Sequence, residues 1–156
     1  MAGVAARHDQ AGTQKIAYLQ VFRASPADRI KMIRRGVAAA DVKRIVRDLK
    51  VEQKTFLAAL NLKTATVNRK VTKGEILPAE DSERLLGVMR LIGQLQAIVQ
   101  ESGDPAEFDA AAWLSDWLRT PLPALGHVPP LSLLDTMEGQ ALVSGALAKV
   151  QSGAYA

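Results

Sequence analysis

The chain reads as an all-α protein, and three observations carry that reading. Helix formers dominate throughout, no stretch shows four or more strict alternations of β-branched or aromatic residues between turn signals, and apolar residues recur at three- and four-residue spacing. With 156 residues, 48% hydrophobic and 23% charged, the composition is that of an ordinary globular protein, which argues against membrane spans, collagen or bulk disorder.

The elements follow in order. Met1 to Gln14 lacks the apolar stretch and cleavage pattern of a signal peptide and is expected to be a loose tail. Ser25-Pro26-Ala27-Asp28 supplies a cap, a proline at the first helical position and an early acid; Ile30 and Ile33 follow, and Gly36 closes a short helix. Asp41 is the expected cap of the next helix, with Val42, Ile45, Val46 and Leu49 on one face and Lys43, Arg44, Arg47 and Lys50 largely away from it. Glu52 to Leu60 and Thr64 to about Lys73 form a pair of short helices broken at Asn61-Leu62-Lys63, the second opening on a capping threonine hydroxyl. This pair reads as a helix-turn-helix.

A long helix follows Pro78, with Leu85, Val88, Met89, Ile92, Leu95 and Val99 in one stripe that serves either as internal core or as a dimer seam. Ser102-Gly103-Asp104-Pro105 ends it, and the next helix carries Phe108, Trp113, Trp117 and Leu118. Thr120 to Pro130 holds four of the seven prolines and is expected to be an ordered corner. Asp135-Thr136-Met137-Glu138 resembles a capping box for a last helix, with Asp135 as its cap, and Gly153 is the expected residue after that helix.

The net charge of +4 hides an asymmetry. Through Gly74 there are 16 basic against 5 acidic residues, a net of +11, whereas Glu75 to Ala156 has 4 against 11, a net of −7. A basic half suits a polyanion such as nucleic acid, and an acidic half suits a different partner; the plainer alternative is a solvated basic surface on a helical domain. On a helix-turn-helix the second helix presents its residues to base edges, so Thr64, Thr66, Asn68, Arg69, Lys70 and Lys73 are the candidate DNA contacts. Asn68 suits adenine, Arg69 or Lys70 suits guanine or phosphate, and Lys43, Arg44 and Arg47 would neutralise backbone phosphates.

Catalysis finds little support. There is no cysteine, so disulfides, thiolate zinc sites and thiol nucleophiles are excluded and a reducing, cytoplasmic setting is expected. His8 and His127 do not form a metal pair, Ser132, Asp135 and His127 lack a nucleophile elbow, and no glycine-rich phosphate loop is present. Glu80, Asp81 and Glu83 are the acids a helix start attracts electrostatically. No catalytic residue, metal or cofactor is expected. The longest apolar run, Leu85 to Val99, is interrupted by Arg90, Gln94 and Gln96 and falls short of the roughly 20 apolar residues a span needs. Trp113 and Trp117 share a helical face, as core or protein interface more often than as a base-stacking platform.

Taken together, Trp117-Leu118-Arg119-Thr120-Pro121, Pro123-Ala124-Leu125-Gly126, Pro130-Leu131, Leu133-Leu134-Asp135-Thr136, Glu138-Gly139 and the closing Gly153-Ala154-Tyr155-Ala156 resemble the Xre/MbcA/ParS family of antitoxins. Leu60 to Lys73, Gly74 and Ser82-Glu83-Arg84-Leu85-Leu86 resemble that family's Xre-like helix-turn-helix and following helix; the likeness covers about Gly36 to Ala156. The chain is expected to divide into an N-terminal tail or extension over 1–24, for which the family offers no counterpart, a helix-turn-helix region over 25–76 and a helical region over 77–156; the resemblance implies that the second binds DNA and represses its own operon and that the third binds the toxin. The implied partners are operator DNA and a nearby-encoded RES-domain toxin that acts on NAD, met by a homodimer within a larger complex. The antitoxin end would reach the toxin's active-site cleft, which makes Lys149, Gln151, Ser152, Gly153, Ala154, Tyr155 and Ala156, with Trp117 and Arg119, the candidate toxin contacts. An acidic C-terminal half suits a pocket built for a pyrophosphate. The alternative is a free-standing dimeric transcriptional regulator; a small hydrolase is a distant third.

Overall fold

The computed structural model describes residues 16–103 and 107–151. Within them, eight α-helices follow one another: α1 (Tyr18–Arg23), α2 (Pro26–Arg35), α3 (Ala40–Leu49), α4 (Gln53–Ala59), α5 (Thr64–Lys73), α6 (Ala79–Ser102), α7 (Ala110–Leu118) and α8 (Met137–Gln151). Two 3₁₀ turns, Pro123–Leu125 and Pro130–Leu133, occupy the proline-rich corner, which is pinned by an isolated antiparallel pairing of Leu122 with Val128.

The local signals work where the sequence offers a free choice of conformation. Ser25 Oγ accepts the Asp28 backbone N–H at 3.1 Å, Pro26 opens α2, and Gly36 ends it at φ +87°, a conformation that penalises side chains. Three caps differ from the sequence expectation. Asp41 does not cap α3: the helix starts at Ala40, because the backbone before it is held by Ala39 N–H to Glu75 O at 3.0 Å, and Asp41 lies buried in the first turn, paired with Arg44 at 3.0 Å. Thr64 is already helical, Lys63 occupies the cap position, and no side chain caps α5. At α8 the cap is Thr136 and not Asp135, since Thr136 Oγ1 accepts the Gly139 N–H at 2.9 Å. Phe108 lies ahead of α7, whose cap is Asp109, accepting Ala112 N–H at 3.0 Å.

The long helix α6 is the axis of the molecule. Its stripe of Leu85, Val88, Met89, Ile92 and Leu95 is buried inside the chain, against α1, α2, α7 and α8, so the internal-core reading of that stripe holds. The α8 contact is also polar: Gln94 Nε2 donates to Ser144 O at 3.0 Å and Ser144 Oγ returns a bond to Gln94 Oε1 at 2.7 Å. Buried amides satisfied in this way fix register, because a slipped helix leaves both groups unpaired.

The helix α1 was not anticipated. Six residues are too few for a periodic signal, yet Tyr18 and Val21 are buried and the helix lies along α6. Gly93 makes this possible: a Cβ at that position would stand 2.1 Å from Tyr18 O. Arg23 donates to Gln100 at 3.0 Å, and Tyr18 donates its hydroxyl proton to Asp48 on α3. The same short helix therefore holds both α3 and α6.

Candidate functional site

The pair α4–α5 is held by its apolar side chains. Phe56, Leu57, Leu60, Leu62 and Val67 are buried, and the break between the helices is closed by Leu62 N–H to Leu57 O at 2.8 Å. Asn61 takes φ +55° there, a left-handed turn that asparagine tolerates. A second brace comes from the backbone pairing of Ala38 with Ile76, where Leu77 N–H donates to Val37 O at 2.8 Å. Buried Ser82 completes it, its Oγ accepting from Val37 N–H at 2.9 Å and donating to Leu77 O at 3.1 Å. With one side of α5 fixed inward through Val67, the polar residues of the other side are turned to solvent.

Asn68 is the centre of that outer surface. Its Oδ1 accepts from Gln53 Nε2 at 3.0 Å and from Lys43 Nζ at 3.0 Å, and Lys43 also donates to Gln53 Oε1. One exposed amide thus ties α3, α4 and α5 together. Gln53, the first residue of α4, was not singled out from the sequence; a glutamine beginning the bracing helix is the only signal that pointed to it. Thr64, Arg69 and Lys73 are exposed and Thr66 half-buried, and Arg69 forms no hydrogen bond or ion pair among the described residues. Lys70 is turned to Glu75 at 3.4 Å.

The three α3 candidates separate. Lys43 joins the Asn68 cluster, and Arg47 is exposed beside Asp48 at 3.5 Å. Arg44 faces the other way: 11% exposed, it pairs with Asp41, donates to Ile16 O at 2.8 Å and lies over the Tyr18 ring at 4.8 Å. Its guanidinium is committed to holding α1, so the structure does not bring it to the surface shared by Lys43 and Asn68. Tyr18 belongs to the same inner cluster; burial, and then its hydrogen bond to Asp48, push its phenol well above the usual tyrosine range.

On the C-terminal side, Trp117 is half-buried and stacks on Trp113 with centroids 6.1 Å apart. Arg119 is half-exposed, donating to Ser115 O at 3.1 Å and pairing with Asp116 at 2.8 Å. Lys149 is exposed on α8, and Gln151 is its last described residue. Ser152, Gly153, Ala154, Tyr155 and Ala156 lie outside the described residues. Among those described there is no group of three potential metal ligands, and no helix is long and apolar enough to cross a membrane. Ser132 Oγ donates to Pro129 O at 2.7 Å, and no hydrogen bond among the described residues joins it to His127 or Asp135.

Comparison with known proteins matches this division. Residues 28–90 match the antitoxin Xre-like helix-turn-helix domain, and residues 94–153 match the antitoxin Xre/MbcA/ParS C-terminal toxin-binding domain. A relative from Sphingobium sp. (strain YBL2), the Prs ADP-ribosylating antitoxin, is 59% identical over 145 residues, covering 93% of this chain and 91% of its own length. With a helix-turn-helix in its first half and a further set of helices after it, the chain belongs to the Xre/MbcA/ParS family of antitoxins.

Proposed function

We propose that this chain is the antitoxin of a type II module: it binds a NAD-targeting RES-domain toxin, places its C-terminal end at the toxin's active site, and binds its own operator through α5. It works by binding, and no step of chemistry is assigned to its own residues. The observation that carries the reading is the coexistence in one chain of the Xre-like helix-turn-helix match and the toxin-binding match, with α6 spanning both.

The geometry supports the DNA half in a specific way. The amide of Asn68 is oriented before any ligand arrives, by Gln53 and Lys43, and Arg69 beside it has no hydrogen-bond or ion-pair partner among the described residues. Pre-oriented side chains lose less conformational entropy on binding. A short recognition helix buries little surface alone, so two copies of the chain on a two-fold operator complete the reading.

The toxin half is supported by the helix that carries it. The last helix, α8, is held to α6 through Gln94 and Ser144 and lies in the segment that matches the toxin-binding domain. Co-expression with the product of the adjacent reading frame, tagging this chain alone, is the test. The partner should co-elute, and it should consume NAD or transfer ADP-ribose only once freed. A neighbour that neither co-elutes nor acts on NAD would leave a free-standing regulator as the better account.

A further inference from the structure

A groove of about 640 Å³ runs between α2, α6 and α8, on a side of the molecule that the DNA-binding reading does not use. Its lining includes Ile30, Met137, Ala141 and Gly145, together with Arg29, Arg90 and Glu83. Ile30 is 46% exposed and Met137 41%, large apolar side chains that a finished core would cover. A Cβ built at Gly145 meets nothing within 4 Å, so α8 leaves open space there. Gln140, by contrast, fills the space over Gly87 and donates to Arg84 O at 3.1 Å and Leu134 O at 2.9 Å, giving the groove a rigid floor.

The charges at its edge are unbalanced. Arg29 is anchored through one nitrogen, Nη1, to Ala24 O at 2.6 Å and Phe22 O at 3.2 Å, which closes the end of α1. Neither Arg29 nor Arg90 forms an ion pair among the described residues, although Glu83 shares the lining. Both guanidinium groups line the groove, and burial, and then the like charge of Arg90, lower the proton affinity of Arg29. A carboxylate placed between them removes that repulsion and satisfies free guanidinium donors.

We propose that this groove is a docking surface for the toxin, receiving an apolar side chain of that protein beside a carboxylate seated between Arg29 and Arg90. The proposal rests on the antitoxin reading above and adds a contact distinct from the C-terminal end. Two features name the toxin as the occupant. Four lining residues, Met137, Gln140, Ala141 and Gly145, lie in the segment that matches the toxin-binding domain. Gly145 also stands only about 9 Å along α8 from Gln151 at the 1.5 Å rise of a helix, so a toxin engaged by the C-terminal end lies within reach of the groove.

The test compares full-length wild type with Arg90→Glu, Gly145→Met and, as a charge-matched control off the groove lining, Lys31→Glu. Each is titrated with purified toxin, with operator affinity and sedimentation of the free antitoxin measured in parallel. Arg90→Glu and Gly145→Met should each weaken toxin binding by roughly tenfold or more, and Lys31→Glu should not. Gly145→Met replaces a helical glycine facing open space, so its thermal midpoint should not fall, which separates blocked docking from misfolding. Unchanged toxin affinity in both groove variants overturns the proposal while leaving the antitoxin reading in place. Altered self-association with unchanged toxin affinity overturns it too, by giving the groove to a second copy of the chain. If wild type captures no toxin at all, the antitoxin reading fails and this proposal fails with it.

Discussion

Asn68 and Arg69 are neighbours in sequence with opposite states in the structure. The Asn68 amide oxygen is occupied by Gln53 and Lys43, whereas Arg69 has no partner among the described residues. Arg69→Ala should therefore leave the fold unchanged and weaken operator binding, by about 1–3 kcal/mol with relaxed base preference for a base contact. Affinity measured on operator and scrambled duplexes over a salt series checks this; a uniform loss with a shallower salt slope would mark a phosphate contact instead. Tyr18 makes a prediction in pH. Its folded phenol holds its proton more tightly than the unfolded one, so the stabilisation is present below the unfolded value of about 10 and is lost as pH rises above it. Urea titrations of wild type and Tyr18→Phe should show the advantage of wild type at pH 8 shrinking as pH passes 10.

At the scale of the element, α1 is a small helix with a large structural consequence. It lies before residue 28, where the helix-turn-helix match begins, yet its contacts reach Asp48 and Arg44 on α3 and Gly93 and Gln100 on α6. Gly93→Ala tests that docking by its sign. In an open helix this change gains about 0.5–1 kcal/mol, but here the new methyl meets the Tyr18 backbone, and overpacking of this kind costs about 1–3 kcal/mol. Denaturant unfolding should show a net loss. The sequence did not reveal α1 because six residues cannot display a helical period, and it misjudged three caps for a related reason. A hydroxyl or carboxylate near a helix start marks the neighbourhood of the cap, and tertiary contacts decide which residue fills it. At α3 the pairing of Ala39 with Glu75 advanced the start, and at α8 Thr136 took the place expected of Asp135.

At the scale of the molecule, the two matched segments meet on α6, which gives the DNA-reading surface and the toxin-binding region a common rigid axis. Removing Lys149 to Ala156 should abolish toxin inhibition and leave operator affinity within about twofold, because the residues that orient Asn68, namely Lys43 and Gln53, lie outside that segment. Inhibition assayed by NAD consumption, beside a gel-shift titration with the same protein, checks both halves. The charge asymmetry agrees with this division, with +11 through Gly74 and −7 after it. Under the proposed function, a basic half meeting DNA and an acidic half meeting a cationic pocket would each favour encounter electrostatically.

The amino-acid order by itself determined the all-α class, the α4–α5 pair, the long helix after Pro78 and the apolar stripe along it, because these depend on periodicity and turn chemistry within a few residues; that the stripe faces the chain's own core was decided by packing. It also determined which segments carry the family likeness. The tertiary structure alone decided which cations face outward. Lys43 and Arg44 are adjacent on α3 and equivalent on paper, but the ring of Tyr18, the carboxylate of Asp41 and the Ile16 carbonyl draw Arg44 inward while Asn68 holds Lys43 at the surface. The same holds for the groove of Arg29 and Arg90, whose residues are 61 positions apart and meet only when α2 and α8 pack on α6. Such juxtapositions arise from long-range packing, and no local pattern of residues encodes them.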